Sequence, residues 1–122
     1  MSQADERAAF GATVAKDVLG LQVGGDTPFA TVGRAFAFGD VWGRPGLDSR
    51  SRLWITLACV CAAGYEMPIR VYLKAALDSL SIPESELREF VLQFAAYQGF
   101  PRASRVEALL NEVLAERASK KV

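Results

Sequence analysis

The sequence has no histidine and only two cysteines among its 122 residues. Without histidine there is no imidazole to move protons near neutral pH or to bind a metal. The cysteines, Cys59 and Cys61, lie two apart in a stretch that reads as helix. Positions two apart on a helix are separated by about 200° around the axis. The two side chains should therefore point to nearly opposite faces. They are expected neither to join in a disulfide nor to share a metal, and to behave as small buried hydrophobes. No metal site is expected.

An excess charge of either sign is also lacking, with 14 basic residues against 14 acidic ones. No basic field is available for a phosphate backbone, so nucleic acid is not an expected partner. No apolar run approaches the roughly 20 residues needed to cross a bilayer, so no membrane span is expected. The start, Met1-Ser2-Gln3-Ala4-Asp5-Glu6-Arg7, is polar and mixed in charge. It lacks the basic then apolar order of a signal peptide, and the expected location is the cytoplasm. There is no internal repeat, no low-complexity tract and no sustained period-2 alternation that would mark a strand.

What is present is apolar residue at helical spacing. Hydrophobic residues make up 51% of the chain, enough for one core and slightly rich for a lone monomer of this size. We expect one all-α domain over 1–122, with about six helices and short loops. Ala8, Ala9, Ala12, Ala15 and Leu19 form a first stripe, ended by Gly20. Thr27-Pro28 opens a second helix with Phe29, Val32, Ala35 and Phe36 as its apolar face. The tract Gly43-Arg44-Pro45-Gly46 demands a turn. Asp48 caps a third helix from Ser49. From Leu53 to Ala63 that helix is apolar nearly all round, which suggests that a second subunit covers one side.

Pro68 starts a fourth helix with Ile69, Tyr72, Leu73, Ala76, Leu77 and Leu80 on one face. Ser81 and Glu84 have capping-box spacing for a fifth, with Leu87, Val91, Phe94 and Ala95 inward. Pro101 begins a sixth, with Val106, Leu109, Leu110, Val113 and Leu114 inward. Residues from Arg117 onward are expected to fray.

The tract Phe38-Gly39-Asp40-Val41-Trp42-Gly43-Arg44-Pro45-Gly46-Leu47 resembles the F-G-[ED]-V-W-x-R-P-G-L signature of the carboxymuconolactone decarboxylase family. Arg70-Val71-Tyr72-Leu73-Lys74-Ala75-Ala76-Leu77 resembles that family's R-x-H-x-x-x-A-L helix. Ala95-Ala96-Tyr97-Gln98-Gly99-Phe100-Pro101 resembles its A-x-Y-x-G-x-P junction. The resemblance covers roughly residues 30 to 110. It implies an alkylhydroperoxidase D-like helical subunit that assembles as a trimer or hexamer. It also implies a cofactor-free lyase in aromatic compound metabolism, acting on a small-molecule carboxylate substrate.

Departures from the family pattern narrow the chemistry. The Cys-x-x-Cys pair of its peroxide-reducing branch falls on Tyr65 and Pro68, and the glutamate that serves the pair falls near Leu53. The family histidine falls on Tyr72. Peroxidase activity is therefore disfavoured, because the site has no thiolate.

The candidate catalytic residues are Tyr72, Asp40 and Arg44. Tyr72 reads as a core tyrosine or as the donor that replaces the histidine. Arg44 reads as a solvated loop arginine, as a partner of Asp40 or Asp48, or as a fork that grips a carboxylate. Asp40 reads as an acid–base group or as a tie for the turn. The candidate substrate-binding residues are Trp42, Arg70 and Tyr97, each of which also has a plain structural reading. The alternative function is a non-catalytic oligomeric protein that binds a ligand or partner on the same fold.

Overall fold

A computed structural model of the chain describes residues 2–120. Six helices account for its regular structure. They are α1 (Gln3–Leu19), α2 (Pro28–Gly33), α3 (Ser49–Ala63), α4 (Glu66–Asp78), α5 (Glu84–Gln98) and α6 (Phe100–Lys120). Helix α2 runs without a break into a π-helical segment, Arg34–Trp42. The chain forms two compact units, Met1–Arg52 and Leu53–Val122, with the boundary inside α3. Among the described residues no helix is long and apolar enough to cross a membrane.

In the first unit, Ser2 caps α1 by accepting the Asp5 amide at 3.1 Å. Gly20 ends that helix in the left-handed region, at φ 68°, where a side chain would be strained. The Gly20 amide reaches the Lys16 carbonyl and the Leu21 amide reaches the Ala15 carbonyl, at 3.0 and 3.1 Å. With Gly20 left-handed, these two bonds satisfy carbonyls of the last turn of α1.

The face that α1 turns inward is Ala8, Gly11, Val14, Ala15 and Leu19, while Ala9 is exposed. Its small residues let the backbone of the π segment come very close. A Cβ on Gly11 would lie 1.9 Å from the Arg34 carbonyl oxygen, and one on Gly39 would lie 3.2 Å from the Arg7 carbonyl oxygen.

This close approach corrects the expected apolar face of the second helix. Phe29 is 90% exposed, and Val32 and Phe36 are exposed as well. The buried residues are Ala35, Gly39 and Trp42. Phenylalanine is too large for a contact in which one backbone touches another, so Phe29 and Phe36 are turned outward while Gly39 meets α1.

Asp48 caps α3 as the sequence suggests, and Thr27 caps α2. The Ala30 amide donates to Thr27 Oγ1 at 3.2 Å, and the Ser51 amide to Asp48 Oδ1 at 2.8 Å. The Ser51 amide and hydroxyl together hold the Asp48 carboxyl below its usual range.

In the second unit, α6 packs along α4 and α5. Leu87, Val91, Phe94 and Ala95 of α5 are buried, as are Val106, Leu109, Leu110 and Val113 of α6. Trp54 of α3 stacks on Phe90 at 5.7 Å, and Phe90 on Phe94 at 5.9 Å. Arg102 Nη1 donates to the Ala62 carbonyl at 2.8 Å and ties α6 to the end of α3.

Helix α3 is buried along Leu53, Leu57 and Cys61, whereas Ile55 is 56% exposed. The single chain therefore covers one side of this apolar helix only.

Two further expectations are corrected. Ser81 does not cap α5, whose N-cap residue is Pro83 with no side-chain cap bond. Ser81 instead takes a left-handed conformation, φ 53°, and this turn sends the Ile82 amide back to the Ala76 carbonyl at 2.9 Å. Ile82 is thereby buried. Helix α6 does not fray at Arg117. Arg117 Nε donates to Asp78 Oδ1 at 2.8 Å, which holds the last turns to the end of α4. Lys121 and Val122, also expected to fray, lie outside the described residues.

Candidate active site

The first unit places Asp40 near the end of the π segment, opposite the first turns of α1. π-helical turns are uncommon and recur at functional sites. The Asp40 carboxylate accepts from Arg7 Nη2 of α1. Asp40 lines a cavity of about 490 Å³ together with Gln3, Glu6, Arg7 and Phe10. This cavity holds two carboxylates, one guanidinium, one amide and one aromatic ring. It has the groups to orient a small polar molecule and to exchange a proton with it.

The other residues singled out in the 30–50 region are placed differently. Trp42 is only 8% exposed and fills the core, with little of its ring left to face a ligand. Arg44 is exposed in the Gly43–Gly46 turn. Its carbonyl accepts from Arg52 Nη2 at 3.3 Å, and the Arg52 Nε–H reaches the Leu47 carbonyl at 3.1 Å. These two bonds brace the turn from α3. The Arg44 guanidinium itself has no ion pair or hydrogen bond among the described residues, since Asp40 is taken by Arg7 and Asp48 by Ser51. A planar fork with its donors unspent suits a carboxylate.

The second unit holds the remaining candidates. Tyr72 of α4 is half-buried, and burial raises its phenol above the ordinary value of 10.0. The phenol is protonated near neutral pH, a hydrogen-bond donor rather than a base, and the upward shift makes it a weaker acid. Arg70 is committed to Glu112 of α6, with Nη2 at 2.8 Å from Oε2. Tyr97, at the end of α5, is 82% exposed.

The cysteines sit on opposite faces, as their spacing requires. Cys61 is buried as expected, but Cys59 is exposed and is not the buried hydrophobe expected of it, because the opposite face of α3 is uncovered there. Burial pushes the Cys61 thiol up to about 12, so it stays protonated and unreactive. No group of three or more cysteine, aspartate or glutamate side chains among the described residues is placed to hold a metal ion.

Two residues were not singled out from the sequence. Arg7 lies in a polar stretch that reads as ordinary helix surface, and only the crossing of α1 over the π segment reveals its partner. Arg34 has its Nη1 buried with no hydrogen-bond partner among the described residues. A buried unpaired donor of this kind is uncommon. Nothing in the helical periodicity marks it.

Similarity to known proteins follows the same stretch of chain. The Carboxymuconolactone decarboxylase family model matches residues 29–112, a span that includes Asp40, Trp42, Arg44, Arg70, Tyr72 and Tyr97. The chain is 35% identical over 78 residues to 4-carboxymuconolactone decarboxylase of Acinetobacter baylyi, covering 64% of this chain and 58% of that protein. It is 34% identical over 109 residues to nitrosuccinic acid decarboxylase of Metarhizium robertsii, covering 82% of this chain and 74% of that one. The family match extends over more than half of the chain and the fold is helical throughout its regular elements, so the chain belongs to the carboxymuconolactone decarboxylase family.

Proposed function

We propose that this chain is a cofactor-free decarboxylase acting on a small carboxylic acid, either a lactone acid or an aromatic or nitro-substituted acid. One observation carries this reading: the family match spans residues 29–112, and both relatives bear decarboxylase names.

The chemistry sets three demands. The carbon–carbon bond to the carboxylate breaks, CO₂ leaves, and the electron pair enters a conjugated acceptor group. The acceptor must be stabilised as charge develops on it, and a proton must then reach carbon. Arg44 has its guanidinium unspent and is assigned to the substrate carboxylate. Asp40 is assigned the acid–base role. Tyr72, kept neutral by burial, is assigned the proton or hydrogen bond that the family histidine supplies.

A homo-oligomer, trimer or hexamer, belongs to the same proposal. Exposed Phe29, Phe36 and Ile55 support it, because apolar surface of this kind marks contact sites.

The test is CO₂ release by the purified protein from carboxylated lactones and nitro acids. Arg44→Ala should lower kcat/KM about 100-fold, equivalent to about 2.7 kcal/mol of transition-state stabilisation. Tyr72→Phe should lower kcat at least about tenfold. Unchanged turnover in both variants on a confirmed substrate would sink the assignment.

A further inference from the structure

We propose that Arg7 of α1 is a positioning residue for Asp40, and that it offsets the acidic charge of the cavity so that a carboxylate can enter. The proposal rests on the decarboxylase reading above. Arg7 lies ahead of residues 29–112, the part of the chain matched to the family, so the family motifs do not assign it.

The geometry is fixed by backbone. The Arg7 carbonyl oxygen lies where a Cβ on Gly39 would come within 3.2 Å of it, and Gly39 immediately precedes Asp40. One turn further along, Gly11 meets the Arg34 carbonyl closely enough that any side chain would collide with it. The two segments therefore cannot slide past each other, and the Arg7 side chain reaches Asp40 from a set register. Surface ion pairs are usually made by side chains free to wander. In this pair both Cα positions are held by helix contact.

Charge gives the pair a function. The cavity lining carries Glu6 and Asp40 against the single cation Arg7. If Arg7 were neutral, two uncompensated carboxylates would face an anionic substrate and repel it. The Arg7 guanidinium spends Nη2 on Asp40 and makes no other hydrogen bond among the described residues. It holds the Asp40 carboxylate in one orientation while lowering the negative field around it.

A structural tie alone predicts little. Arg7 and Asp40 are 55% and 42% exposed, and pairs this open contribute little to stability. The experiment measures succinate binding by calorimetry and CO₂ release for wild type, Arg7→Gln, Arg7→Lys, Asp40→Asn and the double variant Arg7→Gln/Asp40→Asn. Circular dichroism confirms that each variant folds. Arg7→Gln should weaken succinate binding about tenfold and raise KM similarly, and Arg7→Lys should recover most of both. In the Asp40→Asn background the Arg7→Gln effect should shrink below about threefold, because its target is gone. Equal binding by wild type and Arg7→Gln overturns the proposal, as does an effect undiminished without Asp40. Failure of wild type to bind succinate overturns it too. Succinate binding without CO₂ release from any acid overturns the decarboxylase reading alone, since the binding cycle still decides the role of Arg7.

Discussion

Gly11 presses against the carbonyl oxygen of Arg34 so closely that an added Cβ would lie 1.9 Å from it. Neither atom is at the end of a flexible side chain, so relief requires moving a helix. Gly11→Ala should destabilise the protein by about 2–3 kcal/mol. Alanine is otherwise the better helix former, so propensity alone predicts the opposite sign. Thermal or urea unfolding decides it. The expected result is a fall in Tm of roughly 10 °C, and an unchanged or higher Tm would show that the crossing is looser than described.

The same contact shows what the sequence could and could not convey. Helices α3 to α6 were legible because proline and glycine punctuate them and the apolar stripes repeat. In α5 the expected face, Leu87, Val91, Phe94 and Ala95, is the buried one. The second helix was misread because periodicity ranks phenylalanine above glycine as a core residue. Where two backbones touch, size excludes the larger side chain, and Gly39 is buried while Phe36 is not. Asp40 and Arg44 became candidates through a motif. The Arg7 partner was not, because a pairing across 33 positions leaves no local pattern.

Ser81 is the only non-glycine residue with positive φ among those described. It adopts φ 53° so that Ile82 can turn into the core. Left-handed backbone costs an L residue roughly 1–2 kcal/mol, and glycine avoids most of that while losing some chain entropy. Ser81→Gly should therefore stabilise the fold by about 0.5–1 kcal/mol. A Tm rise of a few degrees in a scanning calorimeter is the expected reading, and a fall would mean that the serine side chain supplies something the glycine removes.

Cys61 and Cys59 should differ sharply toward alkylation. Cys61 is 2% exposed and its thiol is pushed up to about 12, whereas Cys59 is exposed. At pH 8 iodoacetamide should label Cys59 and leave Cys61 at least about 100-fold slower, since only accessible thiolate reacts. Peptide mass spectrometry gives both rates, and comparable labelling would refute the burial. The linkage has a definite sign. An unfolded Cys61 ionises near its ordinary value of 9.0 while the folded one does not. Its contribution to stability is thus whole below pH 9 and is lost progressively as pH climbs from 9 toward 12.

The chain carries two tryptophans, and they fall one in each compact unit. Trp42 of the first is buried, whereas Trp54 of the second is half-buried and stacked on Phe90. Each unit therefore contains its own optical reporter, and the two differ in surroundings. With one indole replaced by phenylalanine, the emission of the other follows a single unit through denaturant. Superimposed curves from the two single-tryptophan proteins would mean that both units melt as one cooperative body, and separated curves that each has a stability of its own.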